Sequence, residues 1–578
     1  MNLDIGVTQK LDFVTQGLSW RLKVSNNNTF TTTKQQSYQG PTYAPLFKCD
    51  VEPSAVGDSS VVFRKAGSDG ILNYSEAVSK SRDWYAETAL NYERKFGPHN
   101  ITGLILYNES QIFYPSAFTD IPSSYVGLAA RGTYDYKSKY LLELSMGYNG
   151  SENFAPGKRF GFFPAVSAGW VITDEKFLKD NVPFMEYIKL RASYGIVGND
   201  RFGNNRFLYL ADSYNSNSGP GYSFGINIPQ DALMASEGRI GNPDVTWEKA
   251  KKQDYGIDMT FFGGKLGLTA DYFYEYRDNI LASKQTVPSF LSISLPALNI
   301  GKVQNSGYEA EIKWRSKAGA FNYNITANIT YAHNKILYMD EVLTPWDYRN
   351  QTGKSVNAVF GYVFDGFWTA DQITHLSSYP NANYNPKPGD ARWKDLNKDG
   401  VIDGQDQTVI GYPNYPEYIA SLSGGIDYKG FSFSMLWTGA ANVSRNIWTS
   451  VDAFQSTQDG SESVLVHDQS WTPETATTAT LPRLSFAGKS NNISRTSFFM
   501  VKDASYIRLK SVEISYGFGD AALKRLGISQ MRVSLSAYDV LTFSKWKKYF
   551  DPEMESDYNN VIRYPNVEVW NLGLNVTF

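Results

Sequence analysis

The sequence predicts an all-β fold, a transmembrane antiparallel β-barrel of about 17 strands. Three observations carry that expectation. Apolar and polar side chains alternate with period two in segment after segment. The connections between those segments alternate between short and long. Aromatic residues make up 15% of the 578 residues, with 39 tyrosines among them. A strand points alternate side chains to opposite faces, so one apolar row backed by one polar row fits a wall between lipid and water. Tyr and Trp suit the two rims of such a wall, where one end of a side chain is apolar and the other wet.

The alternating segments can be taken in order. Tyr140, Leu142, Leu144, Met146 and Tyr148 oppose Glu143, Ser145, Gly147 and Asn149. Leu266, Leu268, Ala270, Tyr272, Tyr274 and Tyr276 oppose Gly267, Thr269, Asp271, Glu275 and Arg277, with Phe273 as the exception. From Phe321 to Tyr331, Phe, Tyr, Ile and Ala alternate with Asn322, Asn324, Thr326, Asn328 and Thr330. Val512, Ile514, Tyr516 and Phe518 oppose Ser511, Glu513, Ser515 and Gly517. The chain closes on Trp570, Leu572, Leu574, Val576 and Phe578, interleaved with Asn571, Gly573, Asn575 and Thr577. Each segment is close to the roughly 9–11 residues a tilted membrane strand needs.

Short turns are expected near Lys137–Lys139, Gly263–Lys265, Ala318–Ala320 and Lys429–Gly430. Long loops are expected near Asn27–Ser81, Arg201–Val245, Ser283–Ile300, Leu337–Pro416 and Asn442–Ala504. Glu175–Tyr187 is a longer turn expected to hold a brief helix. An odd strand count sends the first and last strands the same way, so they cannot close antiparallel. Unpaired backbone in lipid costs several kcal/mol per group. The expectation is that strands are missing on the N-terminal side, where Met1–Gln9 also lacks the basic start and apolar core of a signal peptide.

Composition excludes other classes. No run of about 18 apolar residues offers a helical span. A net charge of -3 gives no nucleic-acid footprint. The single Cys49 permits no internal disulfide, and His99, His333, His375 and His467 show no metal-ligand spacing. No Ser/His/Asp spacing or glycine-rich phosphate loop appears, so no enzyme is expected.

One local motif has its own chemistry. Asp395, Asn397, Asp399, Asp403 and Asp406 fall at positions 1, 3, 5, 9 and 12 of a calcium loop. Gly400 takes the sharp turn and Val401 would give its carbonyl. Four close carboxylates repel one another without a cation, which favours structural Ca²⁺, although Asp406 is shorter than the usual Glu. The other reading is a solvated acidic turn. In the long loops, Trp346, Tyr348, Trp368 and Trp393 are candidate ligand contacts, because flat rings suit the apolar faces of sugars. The other reading is packing within the loop or against a partner.

Four segments stand out: Tyr140–Asn199, with N-G-S-E-N-F, F-F-P-A-V-S-A-G-W and I-K-L-R-A-S-Y-G-I-V-G-N; Asp395–Gly411; Asp503–Phe518; and N-L-G-L-N-V-T-F after Tyr564-Pro565. Together and in this order they resemble the C-terminal barrel portion of the SusC/RagA-like TonB-dependent outer-membrane transporters of Bacteroidetes. The stretch Ala537–Leu541 departs from the family's Gln-Asn-Leu version. The resemblance implies a 22-stranded barrel, of which residues 1–578 would supply the last strands. The segment 338–416 would be a long extracellular loop inside the barrel region.

It further implies import of nutrients across the outer membrane, oligosaccharides first. A SusD-like surface lipoprotein and, through the missing N-terminal region, TonB would be partners. Outer-membrane lipid would surround the wall. The barrel-assembly machinery would read the C-terminal signal at Asn571, Gly573, Val576 and Phe578. Without plug and TonB contact, the chain alone is not expected to be transport-competent. The alternatives are a siderophore, cobalamin or peptide receptor of the same superfamily and, more distantly, an outer-membrane barrel enzyme or a soluble β-sandwich adhesin.

Overall fold

The computed structural model describes residues 2–38, 40–47, 61–66, 70–115, 120–179, 182, 184–203, 205–211, 215–216, 235–236, 238, 240–286, 295–447, 455–456, 464–486, 497–519, 523, 527–554 and 566–578. Cys49 and the Tyr564-Pro565 pair lie outside them. One sheet of 17 strands dominates. In chain order its strands are β1 (Asn2–Lys10), β2 (Leu18–Ser37), β3 (Asn73–Phe96), β4 (His99–Phe113), β5 (Ser123–Tyr136) and β6 (Tyr140–Ser151). Next come β7 (Phe160–Val171), β8 (Met185–Asn199), β9 (Glu248–Phe261), β10 (Leu266–Ala282), β11 (Leu298–Ala318) and β12 (Phe321–Tyr338). The series ends with β13 (Tyr418–Tyr428), β14 (Phe431–Ala441), β15 (Tyr506–Gly517), β16 (Gln530–Ser544) and β17 (Val569–Thr577).

Each strand pairs antiparallel with its neighbours in the series, a plain meander. Among the described residues β1 pairs only with β2 and β17 only with β16. An odd-numbered meander sends these two edge strands in the same direction, as the sequence led one to expect.

Register reveals the two rims. Tyr255, Tyr272, Tyr308, Tyr331 and Tyr418 are directly opposite one another in sequence across β9 to β13. Directly paired residues share a face, so they form one tyrosine row. The Tyr308 and Tyr331 rings lie 5.3 Å apart, and Tyr331 and Tyr418 4.5 Å apart. Towards the short turns a second row runs Phe321, Tyr428, Phe431, Tyr516 across β12 to β15. Phe321 stacks on Tyr428 at 4.0 Å. On β12 the step from Phe321 to Tyr331 spans about 34 Å along the strand at a rise of about 3.4 Å per residue. At the ~45° tilt of membrane strands that projects to about 24 Å, matching the apolar band of about 25 Å that such barrels present to lipid. Tyr323, Ile325, Ala327 and Ile329 fill the gap on the same face.

The short turns fall as expected. Lys137, Ser138 and Lys429 carry positive φ, and Gly263, Gly264, Gly319 and Gly430 take the left-handed positions that glycine fills at least cost. A one-turn helix, Lys176–Lys179, sits in the predicted longer turn. One expectation is corrected. Asn27–Ser81 is not simply a loop: β2 and β3 stay paired from Leu18–Tyr92 out to Ser37–Asn73. Its sequence, rich in Asn, Thr, Gln, Ser and Lys, shows no apolar row. Inter-strand backbone hydrogen bonds carry a hairpin projecting beyond the apolar band, where both faces can be wet.

Candidate functional site

Three long connections share one hydrophobic core above the wall. Trp393 comes from the β12–β13 connection, Val443 and Phe499 from the β14–β15 connection, and Trp546 from the start of the β16–β17 connection. Phe364 packs edge-on against Phe499 at 4.6 Å, and Trp393 lies 5.6 Å from Phe499. A second core under other loops joins Phe154, Phe163 and Trp247 with Leu208 and Leu281. The described parts of these connections therefore pack as small folded bodies.

That packing corrects two of the four aromatic ligand candidates. Trp368 is 1% exposed and Trp393 is 4% exposed. Trp368 meets Tyr379 edge-on at 5.4 Å with Arg392 over its ring, and Trp393 stacks on Tyr362. In this arrangement these rings have no face left for a ligand. Periodicity could not have shown this, because their partners are distant in sequence. Trp346 and Tyr348 are only half-buried. The Tyr348 hydroxyl donates to the Gln405 carbonyl at 3.0 Å, tying this segment to the acidic loop.

Behind Trp368 lies a buried polar knot. Asp390 is fully buried and accepts from Arg483 Nε at 2.6 Å and from the Lys387 amide at 2.8 Å. Burial pushes the Asp390 carboxyl up from its ordinary range, against the pull of the Lys387 amide and Arg483. Burial likewise raises the Tyr384 phenol, with the Asp390 charge adding to the effect.

The acidic loop closes on its own amides. Asp395 accepts from Lys398 N at 2.6 Å and Gly400 N at 3.0 Å. Asn397 accepts from Asp399 N, Asp399 from Val401 N, and Asp403 from Gln405 N. Asp406, fully buried, accepts from Leu396 N at 2.8 Å and Asp403 N at 2.9 Å. Gly400 holds φ at +80°. Among the described residues no group of three or more His, Cys, Asp or Glu side chains is gathered as a metal site.

On the face opposite the tyrosine row, charges meet across strands. Arg191 on β8 reaches Asp258 on β9 at 2.9 Å and Asp271 on β10 at 2.9 Å, with Asp254 at 4.0 Å. Glu275 pairs with Arg277 at 2.8 Å and Lys252 at 3.2 Å. A polar, charged lumen face backs an aromatic lipid face. In β17, Trp570, Leu572 and Leu574 fall on the lipid face with Val576, while Asn571 and Gly573 fall on the other. Leu572 and Phe578 are strongly exposed.

Sequence reading missed one cluster. Arg508 on β15 is 3% exposed and binds Glu553 at 2.6 Å and Asp551 at 2.8 Å, both from the β16–β17 connection. Lys510 reaches Glu553 at 2.8 Å and Asp539 at 3.0 Å. Register shifts between Leu509 and Ser511, and Asp539 holds φ at +57°. The available signal was Arg508 and Lys510, two cations in one alternating strand.

Comparison with known proteins agrees with this architecture. The family described as TonB dependent receptor-like, beta-barrel, matches residues 3–575. TonB-dependent receptor P39 of Formosa agariphila is 27% identical over 88% of this chain and 54% of its own length. TonB-dependent receptor SusC of Bacteroides thetaiotaomicron is 26% identical over 79% of this chain and 43% of its own. The structure of the RagAB peptide transporter superposes over the whole chain and 61% of its own, with a TM-score of 0.72 at 17% identity. The chain spans about half the length of the curated relatives it matches.

Proposed function

We propose, from the premise that this chain belongs to the TonB-dependent receptor β-barrel family of the outer membrane, that it forms the wall and outer loops of an energised nutrient importer. The family is one of transporters, not enzymes. The substrate class we propose is oligosaccharide. The observation that carries this reading is the lumen face of β12, where Asn322, Asn324, Thr326, Asn328 and Thr330 form a neutral polar row. Uncharged amide and hydroxyl groups suit sugar hydroxyls, and the half-buried rings of Trp346 and Tyr348 offer stacking surfaces above. A SusD-like surface lipoprotein is the proposed partner at the loops, and TonB the proposed source of force. A peptide substrate is the second reading, favoured by the likeness in fold to the RagAB peptide transporter.

We also propose Ca²⁺ for the Asp395–Asp406 loop. An ionised carboxylate offers about four lone-pair sites, so the amide hydrogen bonds do not exhaust its oxygens. Binding would require Asp395, Asp399, Asp403 and Asp406 to turn toward a common point, with Asn397 and the Val401 carbonyl.

Calorimetric titration of the detergent-solubilised protein with neutral oligosaccharides and with peptides of similar length tests the substrate class. Binding of the glycans alone is the expected result. Binding of peptides alone would replace it with the second reading.

A further inference from the structure

A group of exposed lysines follows the loop end of β16, next to a residue of the lipid face. Phe543 pairs with Ile507 in register and stacks on Trp437 at 6.4 Å. Through β14 and β13 that register places Phe543 on the same face as the tyrosine row. Phe543 is 62% exposed, so it reaches lipid near the loop end of β16. Lys545 follows two residues later, and the turn Trp546–Lys548 carries Lys547 and Lys548. Trp546 is buried in the loop core and anchors this turn, leaving the three lysines exposed.

A fourth lysine approaches from the β14–β15 connection. Lys502 lies in the short strand Val501–Asp503, next to the core residues Phe499 and Met500. Its ammonium donates to the Phe498 carbonyl at 3.1 Å and sits 4.9 Å from the Phe498 ring and 5.9 Å from Phe499. Phe498 is itself 50% exposed. Burial and the charge of Lys548 pull the Lys502 ammonium down to about 8. Among the described residues none of the four lysines has a carboxylate partner in an ion pair, whereas nearby Asp551 and Glu553 are engaged by Arg508 and Lys510.

Exposed aromatics beside unpaired cations are the chemistry of a membrane interface. The rings sit at headgroup depth while lysine stems lie along apolar surface and lift their charges to the polar layer. Lysines close to an anionic membrane surface add to its attraction.

We propose that Lys502, Lys545, Lys547 and Lys548 bind the anionic, phosphate-bearing headgroup of a glycolipid in the outer leaflet, with Phe543 against its acyl border. The proposal rests on the outer-membrane placement of the wall and is independent of the imported substrate. Phosphate is the shared chemistry, and its source is separated by the test.

Protein extracted from outer membranes is placed in phosphatidylcholine nanodiscs containing diphosphoryl lipid A, the same lipid dephosphorylated, or inorganic phosphate without lipid A. Native mass spectrometry reads the bound lipid and a melting curve reads the stabilisation. Diphosphoryl lipid A is expected to be retained roughly tenfold over the dephosphorylated lipid. The variant K502Q/K545Q/K547Q/K548Q should abolish that preference, and the matching four-fold Arg variant should keep it, which separates lost charge from lost folding. Equal retention of both lipids, or an unchanged preference in the Gln variant, overturns the proposal. Saturation of the lysines by inorganic phosphate with no lipid preference also overturns it. Glycan binding, measured in parallel, reports separately on the import reading.

Discussion

Arg508 of β15 and Glu553 of the β16–β17 connection are joined at 2.6 Å, and the same guanidinium holds Asp551 at 2.8 Å. This fork pins the connection ahead of β17 down onto the lumen side of the wall. Arg508 is nearly inaccessible, so its removal leaves carboxylates without a countercharge. Arg508→Ala is expected to cost about 3–5 kcal/mol, the range for breaking a buried pair. Arg508→Lys keeps the charge but not the two-pronged geometry and should recover only part of the loss. Urea unfolding in lipid reads both; two variants as stable as the parent would contradict the clamp.

The two faces of β12 make opposite predictions. Ile325 lies between the Phe321 and Tyr331 rims on the lipid face, and Thr326 lies on the lumen face. Ile325→Arg should cost about 2–4 kcal/mol, the midplane value for a barrel wall, while Thr326→Arg should be close to neutral. Equal costs, measured by equilibrium unfolding in bilayers, would mean that the faces are assigned wrongly.

The loop aromatics divide in two. Trp368→Ala and Trp393→Ala each remove a buried ring, Trp393 from the loop core and Trp368 from its packing on Tyr379, and each should cost about 3–5 kcal/mol. Trp346→Ala leaves that core intact and should weaken glycan binding instead. Limited proteolysis with calorimetry separates the outcomes. A resistant loop in Trp393→Ala would show that the ring is not structural.

For the acidic loop, Asp395→Asn with Asp399→Asn should weaken calcium binding roughly tenfold or more, since affinity follows ligand charge count. Terbium luminescence excited through nearby Tyr348 provides the readout. Absence of any saturable signal in the parent protein at millimolar metal would leave the loop held by its amides alone.

The wall was legible in the sequence because lipid on one side and water on the other imprint a period of two on β12 and β17. The β2–β3 hairpin was not, since a ribbon wetted on both faces carries no such imprint and is held by backbone hydrogen bonds. Trp368 and Trp393 looked like ligand contacts because nothing local marks a loop residue as buried. Their burial depends on Phe499, Tyr362 and Tyr379, brought close only by the fold. The Asp395–Asp406 spacing was plain, whereas the orientation of its oxygens toward amides was not. Arg508 was not singled out, because β15 already alternates polar Ser511, Glu513 and Ser515 with its apolar row and the partners of Arg508 lie in the connection beyond β16.

Uptake of isotope-labelled oligosaccharide by cells with and without this gene tests the import proposal most directly. The account predicts that uptake is lost on deletion and is equally lost when a proton ionophore removes the energy that TonB relays. Oligosaccharide uptake that persists at the parental rate after deletion, or that is indifferent to the ionophore, would contradict it.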